Sequence, residues 1–152
     1  MSAEKQEEGC VFCIKGAAAS AAQDANHFVL ERGEFCFALL NIYPYTGGHL
    51  MIAPYAHVAT LEECGAEPLA EMMRMIQRFE AAIRRAYKPG GINIGMNIGA
   101  AAGAGVAGHI HMHMLPRWFG DVNFMTTVAE TRVIPEDLTE TYAKLKAALS
   151  GA

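Results

Sequence analysis

Three of the six histidines in this chain stand at alternate positions of one short stretch, His109-Ile110-His111-Met112-His113. In an extended strand successive side chains point to opposite faces, so this spacing puts three imidazoles on one face and Ile110, Met112 and Met114 on the other. At about 3.3 Å of rise per residue, neighbours on one face lie roughly 6.6–7 Å apart, which gives each ring its own surroundings. A solvent-facing strand with no further task would be served as well by Thr, Lys or Ser. Two chemical readings stand against that plain one. Alternate histidines are suitable zinc ligands when others arrive from elsewhere in the chain. Equally, one neutral imidazole can attack an electrophile while its neighbour handles a proton.

Two neighbouring features bear on the choice. Cys10-Val11-Phe12-Cys13 has the C-x-x-C spacing of a metal or redox pair, or of two incidental thiols, and no thioredoxin-like βαβ pattern surrounds it. Cys36 and Cys64 have no such partners and read as core or near-surface residues. Immediately before the histidines runs GAAAGAGVAG, residues 99–108. Glycine lets backbone N–H groups approach a ligand closely, and such nests bind phosphate oxygens. A glycine-alanine loop by itself is more often a connector; placed against three aligned histidines, it favours phosphorus chemistry.

The 152 residues, 52% of them hydrophobic, suit a single domain with a packed core, and no linker or repeat divides them. A formal net charge of −4 offers no broad footprint for nucleic acid, so an anionic substrate must be held by local devices. The uncharged run from Lys88 to Arg117 is broken by Gly, Asn and His, against a membrane span. The opening MSAEKQEEG has no apolar signal region, which predicts a cytoplasmic protein and, with it, four cysteines that do not form a disulfide framework.

The elements that must position these residues are legible in outline. Residues 1–9 read as a flexible tail, and KGAAASAAQDAN as a loop or weak helical turn. Two short strands between His27 and Ile42 turn around Glu31-Arg32-Gly33-Glu34 as a hairpin. YPYTGG is turn chemistry, after which His49 opens a strand that Pro54 ends, with His57 beyond it. Thr60-Leu61-Glu62-Glu63 has capping-box spacing for a helix start, and Pro68 suits the first turn of a second or continued helix. Leu69, Met72, Met73, Ile76, Phe79, Ile83 and Tyr87 recur at three and four residues, so a long helix runs to about Lys88. INIGMNIG and HIHMHML alternate as strands, Pro116 closes the second, and RWFGDVNFMTTVAE is a loop with a possible edge strand. From Pro135, the series Leu138, Tyr142, Leu145, Leu149 spells a C-terminal helix. The fold class expected is α+β, an antiparallel sheet with helices packed against it.

GHIHMHMLPRW resembles the signature of the histidine triad (HIT) family, and the resemblance continues through LNIYPYTGGHLMIAPYAHVATLEE. INIGMNIGAAAGAGVAG and PRWFGDVNFM are similar to the branch of bacterial and archaeal diadenosine tetraphosphate phosphorylases and hydrolases. Matching stretches cover most of residues 10–145. The resemblance implies a five-stranded antiparallel sheet with one long helix and a C-terminal helix. It also implies a homodimer in which two such sheets join, with the helix at 68–88 a reasonable interface element.

In chemistry, the resemblance implies that His111 attacks the α-phosphorus of a nucleotide to form a nucleotidyl-histidine, while His113 orients the phosphate or assists proton transfer to the leaving group. Asn41 matches a position that hydrogen-bonds ribose hydroxyls and Asn97 an amide near the α-phosphate; a turn-capping Asn is the plain alternative. Gly103, Gly105 and Val106 fall where the loop meets phosphate through main-chain groups. Some relatives carry Ser where this chain has Gly105, so a hydroxyl contact is missing. His49 would line the phosphate pocket. Trp118 would stack on adenine or close the distal half of the substrate, with simple packing as the alternative, and Arg117 would be a phosphate neighbour or a surface ion pair. In zinc-bearing relatives the corresponding ligands are Cys10, Cys13, His57 and His109, a closed structural set; no organic cofactor is implied. The implied reaction is cleavage of a dinucleoside polyphosphate such as diadenosine tetraphosphate, with inorganic phosphate or water as second nucleophile, and GDVNFM leans towards phosphate. A nucleoside phosphoramidate hydrolase, a non-catalytic nucleotide-binding protein and a metalloenzyme using all three triad histidines are the competing readings.

Overall fold

The computed structural model describes residues 9–18, 20–123, 127–130 and 136–151. The expected tail therefore lies outside the described residues, apart from Gly9, as does Pro135. Five strands form one sheet: β1 Val29–Arg32, β2 Cys36–Leu40, β3 Leu50–Pro54, β4 Gly91–Met96 and β5 Met112–Arg117. Their order is β1-β2-β3-β5-β4 and every neighbouring pair is antiparallel. Among the described residues it is accompanied by the α-helices α1 Val11–Ala17, α2 Ala21–His27, α3 Ala66–Tyr87 and α4 Leu138–Ser150. Among the described residues no helix is long and apolar enough to cross a membrane.

The period-2 alternation of β2 divides the core. Cys36, Ala38 and Leu40 join Leu50, Ile52 and Met114 on one face, against Met72, Met75, Ile76, Phe79 and Ile83 of α3 and Leu145 of α4. Phe37 and Leu39 join Val29 and Ala53 on the other, against Cys10, Phe12 and Cys13. All five residues of β2 are buried because both faces of the sheet are covered there. The cover on the second face is α1, which starts within the C-x-x-C segment and runs into the stretch that reads as loop or a weak helical turn. Propensity in this Ala-rich stretch is undirected, and burial of Phe12 and Cys13 against the sheet supplies the missing stabilisation. α2 has its own start signal, the Ser20 hydroxyl accepting the Gln23 N–H at 3.2 Å.

The capping box at Thr60 forms but closes only a turn. The Thr60 hydroxyl accepts the Glu63 N–H at 3.3 Å, and the Glu63 carboxylate accepts the Ala59 and Thr60 N–H groups at 2.8 and 3.2 Å. Pro68 has no N–H to give the carbonyl four residues back, so a helix cannot run through from Thr60, and α3 restarts at Ala66 with Pro68 in its first turn. α3 then ends at Lys88, whose φ of +46° caps it. Glu71 in α3 fastens the β1–β2 hairpin by accepting the N–H groups of Glu34, Phe35 and Cys36 at 3.0, 2.6 and 2.7 Å.

Two strand boundaries differ from expectation. β5 begins at Met112, so His109 and His111 precede the ladder, although the Ile110 N–H reaches the Val58 carbonyl at 2.8 Å. Pro116 does not close β5, which pairs with β4 as far as Arg117. The β3 ladder stops at Met114, so Pro116 sits where β5 has a strand partner on one side alone. The expected edge strand after Arg117 is not seen among the described residues 118–123 and 127–130; residues 124–126 lie outside them.

Candidate active site and metal centre

Just before β5, the first triad histidine turns towards the cysteine pair of α1 and its N-cap. His109 Nδ1 lies 3.4 Å from Cys10 Sγ and 3.7 Å from Cys13 Sγ, and Cys13 Sγ lies 3.3 Å from His57 Nδ1. All four ligand atoms fall within 4.8 Å of one another. A tetrahedral zinc with bonds of about 2.3 Å to sulfur and 2.0–2.1 Å to nitrogen needs sulfur–nitrogen separations of about 3.6 Å, so these residues fit the ion. The His109 Nε2–H donates to the Pro54 carbonyl at 2.9 Å, which leaves the lone pair on the Nδ1 that faces the thiols. Burial pushes the His109 pKa down to about 4, and the neutral ring is the form a metal takes.

The second histidine faces the opposite way in chemistry. His111 Nδ1–H donates to the His109 carbonyl at 2.8 Å, so its lone pair is on Nε2. Its ring rests on Phe12, centroids 4.6 Å apart, and burial lowers its pKa. His113 has the reverse tautomer, set from behind. The Tyr45 N–H donates to His49 Nδ1 at 3.1 Å; His49 therefore carries its proton on Nε2, which lies 2.9 Å from His113 Nδ1. His113 in turn carries its proton on Nε2. Burial, with His111 beside it, pushes the His113 pKa down to about 4. The rings of His111 and His113 are 4.9 Å apart at 67°, closer than the strand spacing predicts because they lean together. A nucleophilic lone pair thus stands beside an N–H donor.

Both rings line a cleft of about 430 Å³, large enough for a nucleoside. Val11, Leu39, Ile42 and Met51 give it apolar walls, and Gly103, Gly105 and Val106 of the glycine-rich loop line it as well. Asn41 also lines it while its Oδ1 accepts the Tyr43 N–H at 2.9 Å, so this amide both caps the turn and faces the cleft. Asn97 does not line it; its amide donates to the Gly103 carbonyl at 3.4 Å and braces the loop, whose Gly103 has a φ of +90°. His49, 1% exposed, lies behind His113 instead of on the cleft wall.

Arg117 and Trp118 are not brought to this cleft. Arg117 binds Asp121 at 2.6 and 2.8 Å and the Asn93 side chain at 2.6 Å, and Trp118 packs edge-on against Tyr87. Both border a separate hollow with Gly90, Gly91 and Phe119. Conversely, Phe12, Lys15, Tyr43 and Tyr45 line the histidine cleft without having been singled out. Phe12 lies within the C-x-x-C segment and Lys15 just after it, but only the docking of α1 on the sheet reveals them. The two tyrosines were hidden in a stretch that reads as turn.

An open five-stranded antiparallel sheet, bearing alternate histidines beside a glycine-rich loop and a Cys₂His₂ cluster, defines a class of histidine-triad proteins. The chain belongs to the HIT domain family, whose profile matches residues 22–120. Over 118 residues it is 42% identical to the AP-4-A phosphorylase of Mycobacterium tuberculosis, an alignment covering 78% of this chain. The chain spans 60% of the length of that relative. Its fold matches a zinc-bound histidine triad family protein from Mycobacterium smegmatis, with TM-score 0.74, 33% identity and 94% of each chain covered. A hypothetical histidine triad nucleotide-binding protein from Sulfolobus tokodaii matches with TM-score 0.70, 25% identity and 93% of each chain covered.

Proposed function

We propose that this protein cleaves dinucleoside polyphosphates, with diadenosine tetraphosphate as substrate, through a covalent nucleotidyl-His111 intermediate. The observation that carries this reading is the pairing of the His111 ring, with its lone pair on Nε2, and the His113 ring, with its proton on Nε2, their centroids 4.9 Å apart on one nucleoside-sized cleft. The likeness to a protein named AP-4-A phosphorylase supports it.

In the first step His111 Nε2 attacks the α-phosphorus. A P–N bond forms, the bond to the β-phosphate oxygen breaks, and ATP leaves. Positive charge that develops on the imidazole is shared with the His109 carbonyl through the Nδ1–H bond. His113 gives its Nε2–H to a phosphate oxygen. Main-chain groups of Gly103, Gly105 and Val106 receive phosphate, with Asn97 bracing that loop, and Asn41 receives the ribose hydroxyls. In the second step an oxygen of inorganic phosphate attacks, the P–N bond breaks, and ADP is released. Water in that place gives AMP. The GDVNFM segment and the phosphorylase named above favour phosphate.

In this reading Cys10, Cys13, His57 and His109 hold a structural zinc, which supplies no reaction step and ties α1 to the start of β5. A homodimer joined through α3 and a cytoplasmic location belong to the same reading. Arg117 and Trp118 enter it only if a second copy of the chain contributes them.

Product analysis after incubation with diadenosine tetraphosphate, with and without inorganic phosphate, tests the proposal against His111→Ala. ADP and ATP formed only with phosphate are expected of the wild type, and nothing of the variant. AMP and ATP regardless of phosphate would make it a hydrolase. No turnover would overturn the polyphosphate reading in favour of phosphoramidates or simple nucleotide binding.

A further inference from the structure

Behind His49, away from the cleft, three segments converge: the turn at residues 44–48, the end of α3 and the start of α4. Gly48, with φ of +82°, is pressed between the Tyr87 ring and Pro116; a Cβ there would stand 3.0 Å from Tyr87 Cε2 and 3.2 Å from Pro116 Cγ. Gly47 faces the Glu136 carboxylate, which lies 3.3 Å from where its own Cβ would be. Glu136 is half-buried, with its side chain 8% exposed, and accepts from three donors: the Tyr87 hydroxyl, the Lys144 ammonium and, at 2.9 Å, the Thr141 hydroxyl. A buried carboxylate is costly unless fully paired, and here the pairing joins the last residue of α3 to the first turns of α4 directly beneath the residues that precede His49.

We infer that Glu136 and Tyr87 are positioning residues of the reaction, a buttress that holds the 44–48 turn so that His49 keeps His113 in its working tautomer. His49 receives the Tyr45 N–H only while this turn keeps its shape, and passes its own proton to His113 at 2.9 Å. Hydrogen bonds weaken steeply with distance and angle, so a shift of a few tenths of an ångström in the turn frees both rings to change tautomer or rotate. The C-terminal helix, none of whose residues carries the triad signature, thereby acts on the donor beside the nucleophile. This inference rests on the reading of His113 as a group at the reacting phosphate.

The test uses Tyr87→Phe, which keeps the ring under Gly48 and removes only the hydroxyl, beside Glu136→Gln, both assayed well below their melting temperatures. The expected result is a fall in kcat of about three- to tenfold with KM within about twofold of wild type. Nitrogen-15 spectra of the histidines provide a readout that does not depend on turnover. His49 and His113 should move from fixed-tautomer shifts towards averaged ones, while His111 keeps its pattern. Unchanged kcat with His49 and His113 signals in place would overturn the inference and leave Glu136 as a stability element only. A raised KM with unchanged kcat would overturn it too. If the wild type turns over no polyphosphate, the functional reading fails, and the nitrogen-15 spectra still decide whether the buttress sets the His49–His113 pair.

Discussion

The backbone carbonyl of His109 accepts the Nδ1–H of His111 at 2.8 Å, while the His109 ring faces Cys10 and Cys13. One residue therefore sets the tautomer of the proposed nucleophile with its main chain and joins the Cys₂His₂ cluster with its side chain. Loosening the cluster should be felt by His111 without any contact between the metal and the substrate.

The zinc cluster is the first prediction. Protein purified without chelators is expected to carry one zinc per chain by atomic absorption. Cys13→Ser should strip it, lower the melting temperature by at least about 5 °C, and reduce kcat more than it raises KM. Metal-free protein with full activity and an unchanged melting curve would contradict this.

His49 should matter although it does not reach the cleft wall. His49→Ala removes the histidine that donates to His113 Nδ1, and kcat is expected to drop about tenfold or more. A glutamine at the same position can offer an amide N–H to His113 and an oxygen to the Tyr45 N–H, so His49→Gln should recover part of the loss. Steady-state kinetics on the pair decide it: equal loss in both variants would count against the proton relay.

The pH dependence follows from the depressed pKa of His113. Its folded value, about 4, lies below the ordinary histidine value of 6.5, so the unfolded chain takes up the proton first as pH falls. The stability contributed is complete above pH 6.5 and is lost as the pH falls from there through 4. Urea midpoints measured at pH 7 and pH 5 should fall with acidity in the wild type and fall less in His113→Gln. A His113 that titrates near 6.5 by NMR would remove the basis of this prediction.

Glu71 supplies a separate check, on the fold alone. Burial raises its carboxyl pKa, but the backbone N–H groups of Phe35, Glu34 and Cys36 outweigh it and hold the group below its usual range. Glu71→Ala leaves those donors without their acceptor and should cost about 1–3 kcal/mol by urea denaturation. kcat at 25 °C should stay near the wild-type value, because Glu71 meets the hairpin on the side of α3, remote from the histidine cleft. A stability change below about 0.5 kcal/mol would show that water replaces the carboxylate.

Much of this was legible one residue at a time. Alternation marked β4 and β5, short apolar runs bounded by turn residues marked β1, β2 and β3, the three- and four-residue recurrence marked α3, and the glycine-rich run before His109 marked a loop able to approach a ligand. Failures came where a local signal competed with a distant one. The capping box at Thr60 is chemically intact yet starts no helix, because Pro68 dictates a restart. The stretch after Cys13 has weak local preferences, and the sheet that stabilises α1 lies elsewhere in the chain. Arg117 and Trp118 follow the triad closely in sequence but leave it in space, since β5 carries them past the end of the cleft.

Residue type and spacing by themselves determined which atoms could do chemistry: three imidazoles on one side of an extended segment, two thiols in reach of one ion, and a loop rich in glycine and alanine. Periodicity is a short-range property and survives in any fold that keeps the strand. For His113, which nitrogen carries the proton was decided by tertiary structure. His113 owes its tautomer to His49, 64 positions away, and His49 owes its place to a turn resting on Tyr87 and Glu136. Those contacts depend on sheet register and on how two helices dock, and a hydrogen bond tolerates errors of only a few tenths of an ångström in either.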